Sequence, residues 1–159
     1  MGTLMDLVAG ETREILLAIA LDDWASLADR SRFDAHLALG GSLDPAWLDR
    51  FSRALREVTG RPEPLDFSAA CEPLSGPTGG EIGERTVERV ETPWLRSVAD
   101  LEDDRIDAAA GRWIELTEAD FGEPLEPDEK TWIRALAAEI VAFARAADGA
   151  PDTLFAWSI

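Results

Sequence analysis

The stretch DEKTWIRALAAEIVAFARAA, Asp128 to Ala147, decides how the rest of the chain can fold. Trp132, Ile133, Leu136, Ala137, Ile140, Val141, Phe143, Ala144 and Ala147 recur at spacings of three and four, which lines them along one stripe of a helix. Glu129, Lys130, Arg134, Glu139 and Arg145 fall largely outside that stripe. Pro127 suits a first helical position, because the N–H it lacks would have no intrahelical acceptor there. Asp128 and Glu129 complement the positive end of the helix dipole, and Gly149 suits a left-handed stop. So broad a stripe is a core wall, and Trp132 is expected to be largely buried in it. Directly afterwards Thr153 to Ile159, TLFAWSI, is too apolar for a loose tail and predicts a buried strand.

At the other end of the chain Thr3 to Val8, TLMDLV, is a matching apolar run and reads as a strand. Two terminal strands account for each other's backbone hydrogen bonds if they lie side by side under the Asp128 to Ala147 helix. Between them, Glu11 to Leu21 reads as a first helix. Asp22-Asp23-Trp24 starts a short second one with Trp24, Leu27 and Ala28 inward, and Phe33 to Leu39 reads as a third helical piece ending at Gly40-Gly41. Asp44 and Pro45 cap a clear helix whose stripe is Trp47, Leu48, Phe51, Ala54, Leu55 and Val58, stopped by Gly60. Residues 61–83 are rich in proline and glycine and read as irregular, pinned by Leu65, Phe67 and Leu74. Arg85 to Glu91 then reads as an exposed or edge strand, Thr92-Pro93 launches a helix through Leu101, and a further helix runs from about Asp103 to near Thr117. A loop from Glu118 to Glu126 delivers the chain to the main helix. The expectation is one α+β domain over residues 1–159, mostly helical, with a small sheet that includes both terminal strands and the strand near 85–91.

Composition narrows the function classes. In 159 residues, 32 acidic side chains face 15 basic ones, a formal charge of -17. Phosphate backbones and anionic lipid headgroups are repelled by such a surface, so neither nucleic acid nor membrane is an expected partner. Cys71 is the only cysteine, which suits a reducing cytoplasm, and no segment approaches the length of a membrane span.

Taken in order, the strand at Thr3 to Val8, the helices, the strand at Arg85 to Glu91 leading into Thr92-Pro93, and Trp132-Ile133, Phe143-Ala144 and Leu154-Phe155-Ala156 resemble the YfbM-like family of uncharacterised bacterial proteins. The resemblance lies mainly in residues 85–159. It implies a compact α+β cytoplasmic domain and transfers neither an activity nor catalytic residues.

The chain is poor in the usual catalytic groups. His36 is the only imidazole, and it reads as a structural or surface histidine rather than a general base. Cys71 beside Glu72 sits where a thiol pKa rises, which disfavours a nucleophile. One cysteine and one histidine do not make a zinc site. Residues 76–83, GPTGGEIG, lack the lysine and hydroxyl of a phosphate loop and read as a turn. Two acidic groups remain. Glu102, Asp103, Asp104 and Asp107 crowd a helix start, with Asp104 and Asp107 expected on one face and Asp103 off it, and the dipole alone favours acids there. Asp22, Asp23 and Trp24 combine carboxylates with an indole. These seven form the candidate binding surface, with no catalytic residue, metal or cofactor assigned. The first reading is a non-enzymatic acidic binding protein meeting a basic protein partner, as inhibitors and immunity-type proteins do. The alternative is a small-molecule-binding domain or a carboxylate-based enzyme helped by a divalent cation.

Overall fold

The computed structural model describes residues 4–40, 43–74, 81–82 and 85–158. The chain forms an antiparallel sheet with helices on both faces. In order the elements are β1 (Leu4–Gly10), α1 (Thr12–Ala20), β2 (Ala35–Ala38), α2 (Pro45–Thr59), β3 (Cys71–Pro73), β4 (Glu81–Ile82), β5 (Arg85–Val90), α3 (Thr92–Ala99), α4 (Ile106–Phe121), α5 (Pro127–Ala146) and β6 (Asp152–Ser158). The sheet order is β2-β1-β6-β5-β3, and β4 also pairs with β5. The terminal strands are central neighbours, with Met5 opposite Trp157 and Leu7 opposite Phe155.

Alternation along the strands divides the core in two. Met5, Leu7, Ala9 and Phe155 face the layer of α2, α3, α4 and α5, where they meet Phe51, Trp94, Trp113, Ile133 and Ile140. Val8, Val87, Leu154 and Ala156 point the other way, against Ile15, Ile19, Leu27 and Phe33. Ile133, Leu136, Ala137, Ile140, Val141, Phe143 and Ala144 are all buried, so α5 is the core wall its spacing predicts. Fully burying a side chain such as Ile140 or Phe155 contributes about 1.5–3 kcal/mol. Local chemistry sets the helix ends. The Asp44 carboxylate accepts from the Ala46 N–H at 2.9 Å, and Gly60 ends α2 in a left-handed conformation at φ 70°.

Several expectations are corrected. Phe33 to Leu39 is not a third helix, since Ala35–Ala38 is strand β2, paired with β1 from Asp6 opposite Ala38 to Ala9 opposite Ala35. The edge of β1 offers that segment cross-strand hydrogen bonds, which outweigh an apolar spacing that fits either structure. Helix α4 does not stop at Thr117. It continues to Phe121, where Gly122 at φ 75° ends it, so much of the expected loop is helix. Residues 61–83 are not wholly irregular: a 3-10 turn at Phe67–Ala69 leads into β3, and β4 follows. Phe67 and Leu74 pin that segment, while Leu65 is 57% exposed. Ala28, expected inward, is exposed, whereas Leu27 beside it is fully buried. Trp132 is 39% exposed rather than largely buried. It lies in the first turns of α5 and packs edge-on against Trp47 of α2, which covers only part of the ring. Thr3, Gly41, Ser42, Ile159 and most of the glycine-rich stretch 76–83 lie outside the described residues.

Candidate functional site

The first acidic group belongs to a seam between helices. Asp103 opens a 3-10 turn, Asp103–Arg105, that runs into α4. Its Oδ1 accepts from Arg145 Nη1 of α5 at 2.7 Å, and the same guanidinium reaches the carbonyls of Ala99 and Leu101 at 3.1 and 2.6 Å. Four residues on, Asp107 accepts from Arg134 Nη1 at 2.6 Å. Asp103 and Asp107 therefore both reach α5, which corrects the expectation that Asp103 lies off the face of Asp107. The i,i+4 relation sets that shared reach. Glu102 lies 3.8 Å from Arg105, and both side chains are at least half exposed. Asp103 and Asp107 thus tie the α3–α4 turn and the start of α4 to α5. Among the described residues no group of three or more His, Cys, Asp or Glu side chains is arranged to hold a metal ion.

The second group is also tied to its own chain, though at the surface. Asp22 adopts a left-handed backbone, φ 55°, which an aspartate tolerates better than most residues. That turn lets its carboxylate accept the Trp24 indole N–H at 2.5 Å. The Arg85 guanidinium lies 3.8 Å from the centre of the Trp24 ring. The indole face thus carries a cation of this chain, while its N–H is taken by Asp22. Asp23 is exposed, and its carbonyl accepts from the Ser26 hydroxyl at 3.0 Å. His36 on β2 bonds Asp6 on β1, 30 residues earlier in the chain, at 2.8 Å, as a structural histidine does.

Cys71 is a third place where acids converge. Burial pushes its thiol pKa far up, and the charges of Glu88 and Asp49 add to the shift. The thiolate is therefore scarce, and the sulfur behaves as a small apolar side chain.

Sequence reasoning missed an aromatic face where α2, α4 and α5 converge. Trp47 makes edge contacts with Trp113, Phe121 and Trp132, at centroid distances of 6.5, 5.6 and 6.2 Å. Trp113 is fully buried beneath and donates its indole N–H to the Trp47 carbonyl at 3.0 Å. Trp132 and Phe121 are open to solvent, at 39% and 48% exposure. The Arg50 guanidinium sits 5.1 Å from the Trp47 ring centre and 5.4 Å from that of Phe121, and its Nη1 reaches Asp120 at 3.3 Å. The chain segment that carries Phe121 and leads to Trp132 is rich in carboxylates: Glu118, Asp120, Glu123, Glu126, Asp128 and Glu129, against Lys130 alone. One signal for this face was present in the sequence. Phe121 beside Gly122 places a large apolar side chain at a helix end, where burial is least available.

Comparison with protein-family models, curated proteins and solved structures yields no match to this chain. The YfbM-like resemblance therefore rests on the residues quoted above alone.

Proposed function

We propose that this chain is a non-enzymatic acidic binding protein that meets a basic protein partner. The observation that carries the reading is the charge surplus of -17, which exceeds anything that local ion pairing can absorb. A field of that sign raises the encounter rate with a cationic surface, and salt weakens it as the Debye length falls from about 10 Å at 0.1 M to about 3 Å at 1 M. Asp103 and Asp107 are engaged by Arg145 and Arg134, and the Asp22 carboxylate by the Trp24 indole, so local packing accounts for these three carboxylates without a substrate. No helix among the described residues is long and apolar enough to cross a membrane. The reading places the protein in the cytoplasm, with nucleic acid and anionic membrane disfavoured as partners by charge.

Affinity capture from the native lysate at low and high salt, with mass-spectrometric identification, tests it. The expected outcome is a recurrent basic protein that elutes as salt rises. A purified sample that turns over a substrate, and loses that activity on Asp22→Asn or Asp23→Asn, would replace this reading with the enzyme.

A further inference from the structure

We infer that the aromatic face of α2, α4 and α5 is where the partner docks, and that it receives an arginine- or lysine-rich segment carrying at least one large apolar side chain. The inference rests on the acidic-binding reading above and assigns its surface. Three features of the face define the occupant. Trp132 and Phe121 each expose a ring that packs edge-on against Trp47, and surface aromatics clustered this way are the usual anchors of protein interfaces. Next, Arg50 lies over both Trp47 and Phe121, so rings of this cluster do take a guanidinium on their faces, and Trp132, outside those two contacts, keeps an exposed ring for a cation of the partner.

The third feature is the rim. Asp128 and Glu129 precede Trp132 by four and three residues on α5, which places them on its side of the helix. Glu123 follows Phe121 closely, and all three carboxylates are exposed. An apolar centre with an acidic border is complementary to a segment with apolar and cationic side chains together. A second copy of this chain is a poor occupant, because each copy carries -17 and would bring its own acidic border against this one.

Three synthetic peptides test the inference: one arginine-rich with a leucine stripe, one with serine in place of each leucine, and one with glutamate in place of each arginine. Binding to the full chain is followed by titration calorimetry at low salt. The arginine–leucine peptide should bind about tenfold more tightly than the arginine–serine peptide, and Trp132→Ala should remove that advantage. Phe121→Ser, at a still more exposed position, should do the same, with circular dichroism and the urea midpoint confirming that both variants fold. Equal binding of the two arginine peptides, unchanged in both variants, would overturn the aromatic face and leave the acidic-binding reading standing. No binding of either arginine peptide would overturn that reading as well. Equal binding of the glutamate peptide, or a Trp132-dependent dimer in sedimentation equilibrium, would show that the face does not select a cationic partner and would overturn the inference.

Discussion

Replacing Ser52 by alanine should destabilise the fold by an amount that disappears when Trp94 is also changed to phenylalanine. Ser52 is fully buried on α2, and Trp94 on α3 is 2% exposed. The Ser52 hydroxyl donates to the Leu48 carbonyl at 2.8 Å and accepts from the Trp94 indole N–H at 2.9 Å. Ser52→Ala leaves that indole N–H buried without an acceptor, at a cost of about 1–3 kcal/mol. Trp94→Phe opens a cavity and alters the stacking with Phe67, whose ring centroid lies 4.9 Å away. It leaves no orphan donor, because the Ser52 hydroxyl keeps Leu48. In the double variant the donor and its acceptor are both gone, so the loss should equal that of Trp94→Phe alone. The coupling energy is then the whole orphan cost, about 1–3 kcal/mol, and the stacking change cancels within the cycle. Urea unfolding followed by far-UV circular dichroism avoids the altered tryptophan signal, and comparable slopes would license comparing midpoints. Losses that add to within about 0.5 kcal/mol would refute the assigned bond.

The remaining predictions concern exposure and titration. Trp113→Ala should cost about 3–5 kcal/mol, since the ring is fully buried and donates to Trp47, whereas Trp132→Ala, at 39% exposure, should cost clearly less; urea midpoints rank the two. Glu139→Gln on the exposed side of α5 should leave the midpoint nearly unchanged. Cys71 should react slowly with a thiol-specific reagent at pH 8 in the folded protein and readily in urea, because burial, and then the charge of Glu88, raise its pKa; rapid reaction of the native protein would contradict this. Glu91 has its pKa raised above the ordinary 4.5, first by a hydrogen bond with Glu72. A raised acid stabilises the fold below the unfolded pKa, and that contribution is lost as pH rises through the folded value. Glu91→Gln should therefore gain in urea midpoint over the parent between pH 4 and pH 7, and no pH-dependent gain would exclude the carboxyl pair.

Where residue spacing and burial point the same way, the fold was legible in the sequence. The α5 stripe is periodic and its seven inner residues are buried, so spacing alone found the core wall. The terminal strands were legible because apolar runs at both chain ends need each other's backbone groups, and β1 pairs with β6 along its length. Ala35–Ala38 was not legible, because a four-residue strand has too few residues to separate the two periods, and its partner, Asp6 to Ala9, lies far earlier in the chain. Trp132 was misplaced because spacing reports the direction of a side chain and says nothing of whether another element lies across it. The acidic groups were found, but their arginine partners were not. Arg134 and Arg145 looked like solvent-facing residues of α5, and their roles depend on how α4 lies against that helix.

Those arginines separate two jobs that the acids perform together. Even if each of the 15 cations took one of the 32 carboxylates, 17 would remain without a cation of their own. The described pairs place cations at seams: Arg145 and Arg134 join α5 to the α4 start, Arg112 on α4 reaches Glu57 on α2, and Arg50 on α2 reaches Asp120 on α4. A close pair has little net charge and acts only nearby, whereas the surplus acts as a net charge over the Debye length. Exposed pairs of this kind also add little to stability individually, so their main effect is to fix how neighbouring helices sit. Removing a paired acid such as Asp103 changes a seam and the field at once. Removing Glu123, exposed and outside the described ion pairs, changes the field alone, and it lies beside the rings that the partner is inferred to meet.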